Sequence, residues 1–456
     1  MWSRFRTFTK RLSSPTATRV GTLGVFLAAF LLFIVPAART ADLNAAPEPG
    51  DGPDYDNMAM QLSKGNGFSF DWEDPDFRAP YEAANTDGRY DYLLDRQGAW
   101  TTALKSPLFP FLMGTVYKVF GRQFGLIRVI NSSFLALAVA IAFLIVARRL
   151  GAGPAILCGT LLVFDYGFPV YATLILTEAV ACLCVMIMFW SLLRAGETRL
   201  EKWACILGIV TGIAFLARSP FVIWVPVLVI PLLVFARPPG IKIGFHSLGP
   251  PALFMATFLL VAGPWMIRNC VVLRGFEPLG TASADLPTGF SDEAMQNKGV
   301  WVNLFRTRAA AAKPGETRYY DRQPTEGATL TEQELIRSRR GKAEAAEWVF
   351  DNPGKLPLLT LLKIWSEWRP HGKRQTLLLV FAALGLAFLF WRARREAVTY
   401  LCILVAGTLS IGVTWSVGGR FLVPVLPVVI ALSSIGMWSL VVLVSELIEG
   451  RKRMVV

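Results

Sequence analysis

The sequence predicts an all-α fold, a polytopic helical membrane protein with about ten spans and two polar segments carrying interfacial helices. Three observations carry this. Of the 456 residues, 54% are hydrophobic and only 17% charged, at a mean hydropathy of +0.46, whereas an average soluble domain is about 25% charged. The apolar residues stand in runs long enough for a helix to cross about 30 Å of hydrocarbon, where lipid offers a bare backbone group no partner, rather than in the short alternating segments of a barrel. Basic clusters punctuate those runs in alternate loops.

Residues 1–19 carry Arg4, Arg6, Lys10, Arg11 and Arg19 with no acid, ahead of an apolar run from Val20 to about Ala38. The small residues of PAARTA leave a signal peptide open as an alternative. The length of the run, and the number of later spans that it must orient, favour an uncleaved first span. Residues 39–124 are polar and dense in Gly, Pro, Asp and Asn. Within them Tyr55–Lys64 reads as a short helix before the turn at Gly65–Gly67, and Pro107–Phe120 as an amphipathic helix at the interface.

Further spans are expected at 125–147, 154–172, 174–193, 203–217, 221–236, 248–267, 376–391, 398–415 and 421–446, with soft boundaries near Pro169, Arg218 and Pro250. With the N-terminus inside, the inward loops hold Arg148 and Arg149, then Arg194, Arg199 and Lys202, then Arg237 and Lys242, then Arg392, Arg394 and Arg395, and finally Arg451, Lys452 and Arg453. This alternation follows the positive-inside rule and puts the 39–124 loop outside. A second outer segment runs over 268–375. In it LTEQELIRSRRGKAEAAEWVFDNPGKL reads as a helix capped at Thr331, with Glu334 three residues on, and stopping before Pro353. KLPLLTLLKIWSEW then returns as an interfacial helix with Trp365 and Trp368 at the headgroups. The chain divides into a basic tail (1–19), an N-terminal membrane module (20–267), the outer segment (268–375), C-terminal helices (376–446) and a cytoplasmic tail (447–456).

The net charge of +13 is accounted for by basic inner ends, so no nucleic-acid partner is expected. Cys158, Cys182, Cys184, Cys205 and Cys402 lie in apolar runs and Cys270 at the edge of one, which indicates neither a disulfide framework nor a zinc site. His246 and His371 show no ligand spacing, so neither a metal nor a cofactor is indicated. The GNG at 65–67 follows no strand and reads as a turn, not a nucleotide loop.

The topology puts Asp51, Asp54, Tyr55 and Lys105 of the first loop at one membrane face with Asp165, Glu178, Arg218, Arg268 and Arg420 at span ends. Ionisable groups at or in spans are costly and mark function. A fixed cation such as Lys105 neutralises a leaving phosphate, and a carboxylate such as Asp51 takes the proton of an attacking hydroxyl. The alternatives are ordinary: Asp51 as a turn residue, Lys105 snorkelling, Glu178 as a helix N-terminal acid beside Thr177, and the arginines as headgroup anchors. Asp54 is the second choice for the role of Asp51; otherwise Asp54 and Asp56 read as solvated.

Asp51 four residues before Tyr55, followed by AMQLSKGNGF, resembles the first outer loop of the C superfamily of glycosyltransferases, in the bacterial branch related to protein mannosyltransferases and lipid A aminoarabinose transferases. LKSPLFPFLMGTVYKVFG, then LIRVINSSFLALAVAIAFLIVARRLG with Arg128, resembles the family's lysine-proline segment, interfacial helix and next span. LILTEAVACL with Glu178, GPWMIRNCVVLRGFEPLGT with Arg268 and Asn269, AAEWVFDNPGKLPLLTLLKIW, and GRFLVPVLPVVIALSSIGM with Arg420 follow in the expected order.

The resemblance implies a glycosyltransferase of the inner membrane with an extracytoplasmic active site. A polyprenyl-phosphate sugar would be the donor, a lipid, glycan or protein the acceptor, and the outcome inverting. It makes Asp51 the base, Lys105 the phosphate contact and Glu178 the second acid, with Asp54, Tyr55, Arg218, Arg268 and Arg420 binding substrate. Leu104 stands where aminoarabinose transferases carry an acid that helps hold a metal, a departure that speaks against a metal here, and Ser106 displaces the proline after the lysine. The competing readings are a transporter or flippase of phosphate-bearing lipids, which predicts mid-span charges and internal repeats that the chain does not show, and a non-catalytic subunit for envelope-polysaccharide assembly.

Overall fold

The computed structural model describes residues 15–40, 42–165, 167–236, 245–304, 307–308 and 327–454. Among them nine helices are long and apolar enough to cross a membrane, or ten if the bent pair is one span. The protein is a multi-pass membrane protein. The bundle comprises α1 (Pro15–Thr40), α5 (Phe124–Leu150), the bent pair α6 (Ala152–Val163) and α7 (Gly167–Thr173), α8 (Glu178–Ala195), α9 (Leu200–Ala217), α10 (Trp224–Ala236), α11 (Gly249–Val272), α14 (Lys373–Arg392), α15 (Arg394–Gly412) and α16 (Leu426–Met454). The segment expected as the first outer loop carries α2 (Asp51–Lys64), α3 (Pro75–Ala84) and α4 (Leu108–Phe120); that expected as the second carries α12 (Leu330–Asp351) and α13 (Leu356–Trp368).

With lipid as apolar as leucine, spans associate by close packing of small residues. A Cβ on Gly208 of α9 would lie 2.2 Å from the Phe254 carbonyl of α11, and one on Gly385 of α14 2.1 Å from the Leu432 carbonyl of α16. Both crossings therefore need glycine. The expected span 154–172 is broken between α6 and α7 by a 55° bend. Asp165 accepts from the Gly167 amide at 2.9 Å there, and Pro169, with no N–H, adds no ladder bond. The next span opens at Glu178 rather than near 174.

The first outer loop has a core of its own, built on Phe70, Trp72, Phe77, Tyr81, Phe109 and Met113. Strands β1 (Ser69–Asp71) and β2 (Ala99–Thr101) pair antiparallel with Phe70 opposite Trp100. Helix α2 starts at Asp51, four residues before the expected Tyr55, after Gly50 at φ 133°. Asp54 and Asp56 are not solvated, as expected of them, but buried at 8% and 0% exposure. The earlier helix start turns Asp56 into the loop core, where it accepts from Tyr81 and Tyr117, each at 2.7 Å, and pairs with Arg122. The cap of α12 is Thr329 with Glu332, a full capping box, and not Thr331 with Glu334. Thr331 bonds instead to the Thr101 carbonyl, and Glu334 is buried.

The two ends of the bundle are chemically distinct. At one, Arg149 joins Glu197 and Glu396 at 2.8 Å each, and Arg194 joins Glu197 at 2.7 Å. These are loops assigned to the inner side. At the other end the two polar segments meet. The basic positions Arg237, Lys242 and Arg451–Arg453 lie outside the residues, or the side chains, described.

Candidate active site

Six helix ends and loops converge on one network of charges. Asp51, at the first residue of α2, is held by Lys105 Nζ at 2.6 Å and Arg420 Nη2 at 3.0 Å. Lys105 also reaches Asp54 at 3.1 Å, and Asp54 meets Arg96 at 3.0 Å. Glu178 opens α8 with no exposed surface. Its Oε1 accepts from Arg420 Nε and, at 3.1 Å, from Arg218, while its Oε2 is buried with no hydrogen-bond partner among the described residues. Tyr55, one turn after Asp51, lies edge-on to Phe109 with the Lys105 ammonium 5.8 Å from its ring centroid.

The electrostatics follow from those contacts. Lys105 beside Asp51 holds its carboxyl well below the ordinary range against the opposing cost of burial, and Arg420 adds to the effect. Burial, then the Asp51 charge, pushes the Tyr55 phenol up to about 12, so it stays a neutral donor near neutral pH. Three carboxylates (Asp51, Asp54, Glu178) face four cations (Arg96, Lys105, Arg218, Arg420). One positive charge is left over, suited to an entering anion.

Residues 104–267 match the family model described as dolichyl-phosphate-mannose-protein mannosyltransferase. The oligosaccharyltransferase of Archaeoglobus fulgidus in its apo form is similar at a TM-score of 0.55 and 13% identity, over 97% of this chain and 52% of that one. The structure of archaeal oligosaccharyltransferase AglB from the same organism with an inhibitory peptide and a dolichol-phosphate gives 0.53 and 13%, over 96% and 52%. The chain shares the fold of these two oligosaccharyltransferase structures. ArnT from Cupriavidus metallidurans bound to undecaprenyl phosphate is more distant, at 0.42 and 13% over 93% and 79%. The chain spans about half the length of the oligosaccharyltransferases that it matches. No curated protein matches.

Within this fold, the structure brings together Asp51, Asp54, Tyr55, Lys105, Glu178, Arg218 and Arg420, and leaves Arg268 apart. Arg268 donates to the carbonyls of Thr102 at 2.6 Å and Phe68 at 3.2 Å and packs on Trp265. It braces the strand leading to Lys105. Asp165 stays at the α6–α7 bend, 3.8 Å from Arg374. Arg128 ties the Ala45 carbonyl, at 2.9 Å, to that of Thr173, at 2.8 Å, behind the site. Among the described residues no group of three or more His, Cys, Asp or Glu side chains could hold a metal ion. The nearest carboxylates, Asp51 and Asp54, share the Lys105 ammonium.

Three residues support the site in ways the sequence did not indicate, Glu334 having been expected only as a cap partner. Glu334 of α12 accepts from Trp100 Nε1 at 2.8 Å, Thr102 Oγ1 at 2.7 Å, the Ala103 amide at 2.9 Å and the Thr281 hydroxyl, which fixes the approach to Lys105. Glu367 of α13 accepts from the amides of Val417, Gly419 and Phe421, the last two at 2.8 and 3.3 Å. Gly418 and Gly419 there take φ of 66° and 105°, the left-handed region open to glycine, and the turn aims Arg420 at the site. One helical turn back, buried Lys363 donates to the Thr414 carbonyl at 2.8 Å. No local pattern announces these partners, which come from segments far apart in sequence.

Proposed function

We propose that the protein is a glycosyltransferase of the inner membrane, moving a sugar from a polyprenyl-phosphate carrier to an acceptor hydroxyl at the extracytoplasmic face. The observation that carries this reading is the network of Asp51, Lys105, Arg420 and Glu178 at one end of the bundle. A sugar linked to a lipid phosphate by a phosphodiester brings one negative charge, which matches the charge the network leaves over. One of the similar structures holds a dolichol-phosphate. A flippase would want its charges near mid-span, and here they gather at helix ends.

In this proposal the donor phosphate binds Lys105 and Arg420, competing with Asp51 for both cations. Asp51, released from its partners, recovers basicity and takes the proton of the acceptor hydroxyl. The acceptor oxygen bonds to the anomeric carbon from the face opposite the phosphate, so the configuration inverts, and the C–O bond to phosphate breaks with its electron pair leaving on the phosphate. Lys105 and Arg420 neutralise that charge where it develops. Glu178, itself bound by Arg218, holds Arg420 in place, Asp54 orients Lys105, and the neutral Tyr55 phenol offers a hydrogen bond to the sugar. Arg268 contributes by bracing the segment before Lys105.

The test is turnover of a labelled polyprenyl-phosphate sugar by purified protein. Asp51→Asn, which keeps shape and loses basicity, is expected to lower transfer by about 10²–10⁴-fold, the range for loss of a positioned general base. Full transfer by that variant would remove Asp51 from the role.

A further inference from the structure

We propose that the cavity between the first outer loop and α12 binds an anionic saccharide as the acceptor, with Arg337 and Arg340 pairing to its acidic groups. This rests on the transferase reading, to which it adds the class of the second substrate. The cavity has a volume of about 630 Å³, within the roughly 300–1,000 Å³ of small-molecule sites. Asp54, Lys105 and Arg96 form one part of its wall, so it opens directly onto the charge network described above.

The rest of the lining carries the chemistry of a sugar site. Trp100 and Trp301, the latter 41% exposed, offer flat apolar faces with a polar edge, and Gln97 and Gln333 offer amides to hydroxyls. Arg337 and Arg340 line the cavity from α12 three residues apart, neighbours on one helix face. Both are exposed, and neither has an ion pair or side-chain hydrogen bond among the described residues. The other charged groups of the wall, apart from Asp285, are engaged. Arg96 pairs with Asp54, Lys105 with Asp51 and Asp54, and Glu334 accepts from the Trp100 indole and from Thr102.

Asp285 also lies in the wall, where burial raises its carboxyl pKa above the ordinary value. Among the described residues two unclaimed guanidinium groups remain, whose fork geometry fits a carboxylate or phosphate oxygen pair. An acidic peptide would satisfy the arginines and make no use of the aromatic faces. The combination therefore favours an acidic glycan.

The experiment is calorimetric titration of the purified full chain with trigalacturonate, neutral maltotriose and triglutamate, in wild type, in the double variant Arg337→Ala with Arg340→Ala, and in Trp301→Ala. Trigalacturonate is expected to bind at least about tenfold more tightly than maltotriose, the discrimination given by about 1.4 kcal/mol of extra pairing. The double variant should abolish that preference, and Trp301→Ala should weaken trigalacturonate binding severalfold. Equal affinity for acid and neutral trisaccharides, an unchanged preference in the double variant, or triglutamate binding as tightly as trigalacturonate would each overturn the assignment. No donor is present in this titration, so its result is separable from turnover. Donor consumption without acid selectivity defeats the acceptor assignment alone, and acid selectivity without donor consumption defeats the transferase reading.

Discussion

Lys363 shows what burial does to a single charge. It has no exposed surface, its ammonium donates to the Thr414 carbonyl and rests 3.4 Å from the Phe290 ring centroid, and burial lowers its pKa to about 7 from 10.5. The unfolded chain therefore binds more protons than the folded one between about pH 7 and 10.5, and stability must rise with pH across that window. Below pH 7 both states are protonated, and the full cost of the buried ammonium is present. Thermal unfolding at pH 7 and pH 9 should show a rise for wild type that Lys363→Met lacks; parallel profiles would place the Lys363 pKa outside this range. At this scale legibility divided by type of contact. The meeting of Asp51 with Lys105 was legible because both fall in a recognisable string and the topology puts them at one face. The burial of Asp56 was not, because its partners Tyr81, Tyr117 and Arg122 are set by the fold of the loop rather than by spacing.

At the scale of elements, α13 grips the turn that carries Arg420. Glu367 satisfies the amides of Val417, Gly419 and Phe421, so Glu367→Ala strands three donors at about 1–3 kcal/mol each. Glu367→Gln keeps one acceptor oxygen and should retain the fold. In the proposed mechanism Arg420 meets the donor phosphate, so Glu367→Gln is expected to raise the KM for the lipid donor by about tenfold, roughly 1.4 kcal/mol of weakened binding, and leave the Tm within a few degrees. A changed Tm with unchanged KM would make Glu367 structural only. Helix existence was legible from apolar runs, and α4 and α13 from their own amphipathic patterns. The α12 cap slipped by two residues because Thr329 and Thr331 both stand three before a glutamate, and only tertiary contacts decide between them: Glu334 is drawn inward by Trp100, Thr102 and Thr281. The break at α6–α7 was foreshadowed by Pro169 alone.

For the whole molecule, charge asymmetry orients the bundle. Arg149, Arg194, Glu197 and Glu396 tie loops together at one end, and the proposed site closes the other. In the orientation proposed here, which follows the positive-inside rule, the first end faces the cytoplasm. In a cysteine-free background, Gly354→Cys should be labelled in intact cells by an impermeant maleimide and Thr198→Cys only after lysis. The reverse pattern would turn the site inward and remove an extracytoplasmic acceptor. The number of spans and the meeting of the outer segments were legible from hydropathy and alternating basic loops. The cavity against α12 was not, because its walls come from two segments with no shared pattern.

In the proposed mechanism a lipid phosphate displaces Asp51 from Lys105 and Arg420, and affinity for the carrier reads that displacement. Undecaprenyl phosphate binding should be measured for wild type and Asp51→Asn. Removing the competing carboxylate frees both cations, so the variant is expected to bind the lipid phosphate more tightly than wild type even as its transfer falls. Unchanged or weaker binding by Asp51→Asn would contradict the account.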